Sequence, residues 1–64
     1  MAITIKAARV NVGLSQEDAA KLLNISRATL ASYEAGRTSP DINLGKEMAR
    51  LYKTTIDNLI FSAN

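Results

Sequence analysis

Apolar residues keep helical spacing along almost all of this chain, yet every two or three turns a capping residue or left-handed turn former interrupts them. Ile5, Ala8 and Val12 follow i, i+3, i+4 steps, as do Ala19, Leu22 and Leu23. Ile42, Gly45, Met48, Ala49 and Tyr52 continue the pattern, and Ile56, Leu59 and Ile60 end it. The chain therefore reads as all-α, and its interruptions divide it into five short helices.

The caps set the boundaries. Gly13 closes a first helix over about Ile3 to Asn11, because glycine accepts the left-handed conformation past a helix end. Ser15-Gln16-Glu17-Asp18 reads as a capping box that opens a second helix, Gln16 to Leu23. That helix stops at Asn24, the residue after glycine best suited to the left-handed region. Ser26 caps a third helix running through Ala35 to Gly36, and Arg37-Thr38-Ser39-Pro40-Asp41 is a loop. A fourth helix follows to about Tyr52, and Thr55 caps a fifth from Ile56 to about Phe61.

Composition narrows what such a chain can do. With 64 residues and no repeat, low-complexity tract or charge block, residues 1–64 form one domain. Cys and His are both absent, so no disulfide or Cys/His zinc site staples the fold, and the usual nucleophile–base pairs lack their parts. Neither a metal, a cofactor nor a small-molecule substrate is expected. Apolar runs stop at three residues, as in Leu59-Ile60-Phe61, too short for a membrane span or a secretory signal. Ala supplies ten of the apolar positions, so the core is light and intrinsic stability is limited to about 3–5 kcal/mol. Net charge is only +2. A small intracellular binding domain remains.

Only Asn24-Ile25-Ser26 separates the second helix from the third. A link of that length containing a left-handed turn former is the geometry of a helix-turn-helix, spanning about residues 16–35, with helices crossing near 90–120°. Ala20 sits where the two helices meet, and a larger side chain would push them apart. Ala19, Leu23, Ile25, Leu30 and Tyr33 occupy positions that must turn inward.

These residues carry a resemblance. Gly13-Leu14-Ser15-Gln16-Glu17-Asp18-Ala19-Ala20, Ser26-Arg27-Ala28-Thr29-Leu30, Tyr33-Glu34-Ala35-Gly36-Arg37 and Ser39-Pro40 resemble the phage repressor and Cro type of helix-turn-helix domain, the XRE family. Lys6-Ala7-Ala8-Arg9-Val10-Asn11 is similar to prophage regulators of Gram-positive bacteria. The likeness runs from about Ile5 to Phe61. It implies a five-helix, lambda-repressor-like domain that binds double-stranded operator DNA as a homodimer and regulates transcription. Such a protein works in the cytoplasm of a bacterial or phage-infected cell, at the nucleoid.

In that architecture the amino-terminal part of the third helix enters the major groove. Arg27, Ala28, Ala31 and Ser32 face outward there, with Thr29 beside them. Arg27 can grip guanine O6 and N7 together, Ala28 can touch a thymine methyl, and Ser32 can donate to or accept from a base. Each is also an ordinary surface residue type. Phosphate contacts are expected from Gln16 and Ser26 at helix starts, from Arg37 and Thr38 just past the third helix, and from Lys6. Ser26 caps its helix in either case. The resemblance further implies that Arg9 and Glu34 form a partly buried ion pair pinning the third helix to the first.

Leu59, Ile60 and Phe61 cannot all face one core from a helix, so this segment is expected to supply a dimer interface. The leading reading is a minimal, Cro-like transcriptional regulator on a near-palindromic operator. The alternative is a protein-binding module on the same scaffold, such as an antitoxin or adaptor subunit, since fold alone does not fix function. An enzyme ranks third, because no acid–base constellation is present.

Overall fold

The computed structural model describes residues 2–61. In chain order it places β1 (Ile3–Thr4), α1 (Ile5–Asn11), α2 (Gln16–Leu23), α3 (Arg27–Glu34), α4 (Ile42–Leu51), a single 3₁₀ turn (Ile56–Asn58) and β2 (Leu59–Ile60). Each α-helix starts at a short polar residue in extended conformation. Thr4, Ser15, Ser26 and Asp41 accept hydrogen bonds from the backbone N–H groups of Ala7, Asp18, Thr29 and Leu44. These bonds satisfy amides that the helix itself leaves without partners.

All four helices end in the same way. Leu14, Ile25, Arg37 and Thr54 donate their N–H groups back to the carbonyls of Arg9, Ala20, Ser32 and Ala49, five residues earlier. The residue before each donor lies in the left-handed region: Gly13 at φ 78°, Asn24 at φ 58°, Gly36 at φ 76° and Lys53 at φ 59°. This is the Schellman closure, which satisfies the last carbonyls and turns the chain sharply. Four such turns let short helices fold back on one another.

The core is one cluster of Ile5, Ala8, Ala19, Ala20, Leu23, Leu30, Met48, Ala49, Tyr52 and Leu59. Ala19 and Ala20 on α2 are 0% and 2% exposed, so small side chains bring α2 close against α3. Leu30 projects from α3 into this cluster and is completely buried. Its burial fixes which face of α3 remains outside.

The fold is helical as expected, but among the described residues the count of five helices is corrected to four α-helices. Thr55 makes no side-chain capping bond, and Ile56–Asn58 closes only one 3₁₀ turn before Leu59 becomes extended. Leu59 and Ile60 then pair in parallel with Ile3 and Thr4. The first helix accordingly starts at Ile5, and the third ends at Glu34 with Ala35 as its cap. A strand pair joining the two ends of the chain prevails over helical spacing that a 3₁₀ turn satisfies equally well. Gly45 makes room for the returning segment: a Cβ there would stand 3.1 Å from Ile56 Cδ1 and 3.4 Å from Phe61 Cζ. Leu59 enters the chain's own core at 7% exposure, which withdraws it from the surface expected to meet a second copy. Ile60 and Phe61 are half-buried.

Candidate nucleic-acid interface

With Leu30 pointing inward, α3 presents Arg27 and Ala28 exposed, and Thr29, Ala31 and Ser32 half-buried. The loop after α3 folds back beside this face. Ala28, Thr29, Ser32 and Tyr33 line one shallow depression together with Thr38 and Ser39. Arg27 opens α3 and Arg37 lies just past its end, so exposed guanidinium groups flank the face at both ends. Lys6 stands exposed on the first turn of α1.

Two of the hydroxyl groups that line the depression on α3, those of Thr29 and Ser32, are each paired with a neighbour. Ser26 Oγ accepts the Thr29 backbone N–H at 3.0 Å and donates its own proton to Thr29 Oγ1 at 2.7 Å. A hydroxyl carries one proton, so Ser26 keeps none for a phosphate, whereas the Thr29 hydroxyl donates to no partner among the described residues. Ser32 Oγ and Thr38 Oγ1 lie 2.9 Å apart and share a second bond. Sequence reasoning placed Ser32 and Thr38 in separate roles; nothing in their spacing indicates that the loop returns to bring them together.

Behind α3 lies a polar network. Arg9 Nε donates to Glu34 Oε2 at 2.7 Å, and Arg9 Nη2 to Oε1 at 3.3 Å. Gln16 Nε2 donates to the same Oε1 at 3.0 Å, and Arg9 Nη1 donates to the Leu14 carbonyl at 2.8 Å. The Arg9 and Glu34 side chains are only 9% and 4% exposed. One guanidinium thus ties α1, the link before α2 and the end of α3 together, with Gln16 held from α2. A two-pronged, charge-assisted arrangement of this kind fixes orientation as well as distance. The Gln16–Glu34 bond gives Gln16 a partner beyond the helix start and phosphate contact that its sequence position suggests.

Beneath this network Tyr52 is 3% exposed, and its hydroxyl has no hydrogen-bond partner among the described residues. Its pKa is pushed up from 10.0 to about 12, first by burial and then by the Glu34 carboxylate, with Arg9 opposing. Among the described residues no helix is long and apolar enough to cross a membrane.

Comparison with known proteins agrees with this geometry. A family model described as helix-turn-helix matches residues 5–59. An HTH-type transcriptional regulator of Archaeoglobus fulgidus is 30% identical over 59 residues, covering 92% of this chain and 84% of the relative. One from Methanocaldococcus jannaschii is 33% identical over 55 residues, covering 86% of this chain and 83% of the relative. The HTH-type transcriptional regulator ImmR of Bacillus subtilis is 34% identical over 56 residues, which is 88% of this chain and 44% of ImmR. This chain therefore spans less than half the length of ImmR. No solved structure matches.

Proposed function

The chain belongs to the helix-turn-helix family, and we propose that it is a sequence-specific DNA-binding regulator of transcription. The observation that carries this reading is the outer face of α3, left open by the inward Leu30 and flanked by exposed Arg27 and Arg37. In a helix-turn-helix the amino-terminal half of the second helix lies in the major groove. Arg27 would grip guanine, Ala28 a thymine methyl, and Thr29 and Ser32 further base edges.

Phosphates would be held from several sides. Amides at the starts of α2 and α3 point toward an anion, and the second Gln16 amide proton is still available for one. Arg37, Thr38 and Lys6 would complete the clamp. Ser26 serves through its backbone amide, since its hydroxyl proton goes to Thr29. The Arg9–Glu34 pair keeps a carboxylate near the DNA neutralised and holds α3 at its angle.

One domain of this size covers one half-site, so the reading includes a homodimer. Ile60 and Phe61 are its proposed contact, on half-sites about 10–10.5 bp apart or a multiple of that. Regulation is by occupancy: the bound dimer obstructs or redirects polymerase on a near-palindromic operator, in a bacterial or phage-infected cell. The test is selection from random duplex DNA at rising salt. A recovered near-palindromic motif whose enrichment falls steeply with salt is expected; recovery of no motif would reject the reading in favour of a protein-binding module.

A further inference from the structure

We propose that Ser32 and Thr38 form one proton-sharing unit in which the phosphate contact of Thr38 makes Ser32 an acceptor, so that it reads a base amino group. The inference deepens the DNA-binding reading above and rests on it. Its starting point is the 2.9 Å separation of Ser32 Oγ and Thr38 Oγ1, in which either oxygen can donate. Two hydroxyls carry two protons, and their mutual bond uses one, leaving one proton for everything outside the pair.

Where that proton goes depends on what each oxygen meets. Thr38 is exposed on the loop beside Arg37, whereas Ser32 stands on α3 one turn beyond Ala28, on the face left open to the groove. Phosphate oxygens only accept. Thr38 at a phosphate must therefore give its own proton outward, and the bond between the two residues must then run from Ser32 to Thr38. Ser32 is left with lone pairs and no proton toward the base. In the major groove adenine N6 and cytosine N4 donate, while guanine O6 and thymine O4 accept. Ser32 consequently favours an amino group and is repelled by a keto oxygen.

Thr29 provides the opposite polarity in the same depression. It receives the Ser26 proton and keeps its own, so it faces outward as a donor. Two similar hydroxyls on one helix face thus differ in polarity, Thr29 donating and Ser32 accepting, and each is set by the residue behind it. Thr38 is in this sense a positioning residue for base recognition as well as a phosphate contact.

The test uses the full chain. The operator is first selected from random duplex DNA, and the base pair whose preference Ser32→Ala flattens is located. That pair is rebuilt with its amino group deleted (purine for adenine, or pyrimidin-2-one for cytosine). It is also rebuilt with its keto oxygen deleted (2-aminopurine for guanine, or 5-methylpyrimidin-2-one for thymine). The expected result is that amino deletion lowers wild-type affinity threefold to tenfold relative to its effect on Ser32→Ala, as for one lost hydrogen bond. Keto deletion leaves that ratio unchanged. Thr38→Val frees Ser32 to donate, so the selected preference at that pair falls by about the same factor, while Thr38→Ser keeps it and the position read by Arg27 is unaltered. Three results would overturn the inference: wild-type sensitivity to the keto oxygen instead, wild-type preference retained in Thr38→Val, or no position flattened by Ser32→Ala. If the wild-type chain selects no motif at all, the DNA-binding reading fails first and takes this one with it, and that outcome is distinct from the other three.

Discussion

Tyr52 carries a hydroxyl into the core beneath Arg9 and Glu34, and no partner among the described residues receives it. With its folded pKa near 12 against 10.0 in the unfolded chain, its contribution is constant below pH 10. Between pH 10 and 12 the unfolded chain loses the proton first, so stability falls with rising pH, by about 3 kcal/mol in all. Urea unfolding followed from pH 8 to 12 should show this decline in the wild type and its absence in Tyr52→Phe. At pH 7 the same variant should stay within about 1 kcal/mol of wild type, since no hydrogen bond is lost. A cost well above that would mean the hydroxyl is bonded. Lys53 makes a second case at this scale. It closes α4 at φ 59°, in a conformation that costs an L-residue other than Asn or Asp about 1–2 kcal/mol. Lys53→Gly relieves that strain but loosens the unfolded chain, so a net gain of about 0.5–1 kcal/mol is expected in thermal melts. Gly13 and Asn24 were legible as left-handed positions because their residue types accept that conformation, and Gly36, where the third helix was expected to run out, is of the same kind. Lysine has no such preference, and Lys53 adopts it only because the chain must turn back from α4 to reach β1.

Between elements the strongest tie is the Arg9–Glu34 pair, which fastens the end of α3 to α1 at 2.7 Å, nearly out of solvent. Glu34→Gln leaves the Arg9 charge buried without its counterion, a change that typically costs about 3–5 kcal/mol. That is comparable with the whole stability expected of so small a domain. Glu34→Gln should therefore be largely unfolded by denaturants at room temperature, whereas a double replacement, Arg9→Met with Glu34→Leu, should regain much of the loss. A Glu34→Gln midpoint equal to wild type would show that the pair does not hold α3. Elements governed by local chemistry were the readable ones: Ser15 and Ser26 open α2 and α3 as their residue types indicate, and Gly13 and Asn24 close α1 and α2. The segment after Lys53 was not among them. Ile56, Leu59 and Ile60 have helical spacing, but their conformation is decided by Ile3 and Thr4 at the far end of the chain. Pairing between such distant residues leaves no trace in local periodicity. The same limit hid the Ser32–Thr38 bond, which depends on the path of the 36–40 loop, while Arg27 and Ala28 follow from helix phase alone.

For the molecule as a whole, a net charge of +2 understates the field that DNA would meet. Arg9 is neutralised by Glu34, Lys21 lies 3.7 Å from Glu17, and Arg50 pairs with Glu47. Among the described residues Lys6, Arg27, Arg37, Lys46 and Lys53 form no ion pair, and Arg27 and Arg37 stand at the two ends of the candidate reading helix. Asp18, Asp41 and Asp57 also form none, but they belong to other segments, so both ends of α3 keep an unpaired cation while α2 and α4 each carry one exposed pair. This distribution can be tested without knowing the operator's biological role. Each phosphate neutralised releases counterions and steepens the dependence of log affinity on log salt by about 0.9. If Lys6 and Arg37 of each subunit in a dimer lie on phosphates, the slope should be about −3 to −4. Arg37→Ala should weaken binding to the selected operator and to unrelated DNA alike, and flatten the slope by about 2 units, one phosphate contact per subunit. Arg27→Ala should instead relax one base-pair preference by about 1–3 kcal/mol with little change in slope. Fluorescence anisotropy titrations from about 50 to 200 mM salt separate these outcomes. An unchanged slope in Arg37→Ala would remove that residue from the phosphate backbone. A large slope change in Arg27→Ala would make it a phosphate clamp and leave Ala28, Thr29 and Ser32 to carry sequence recognition.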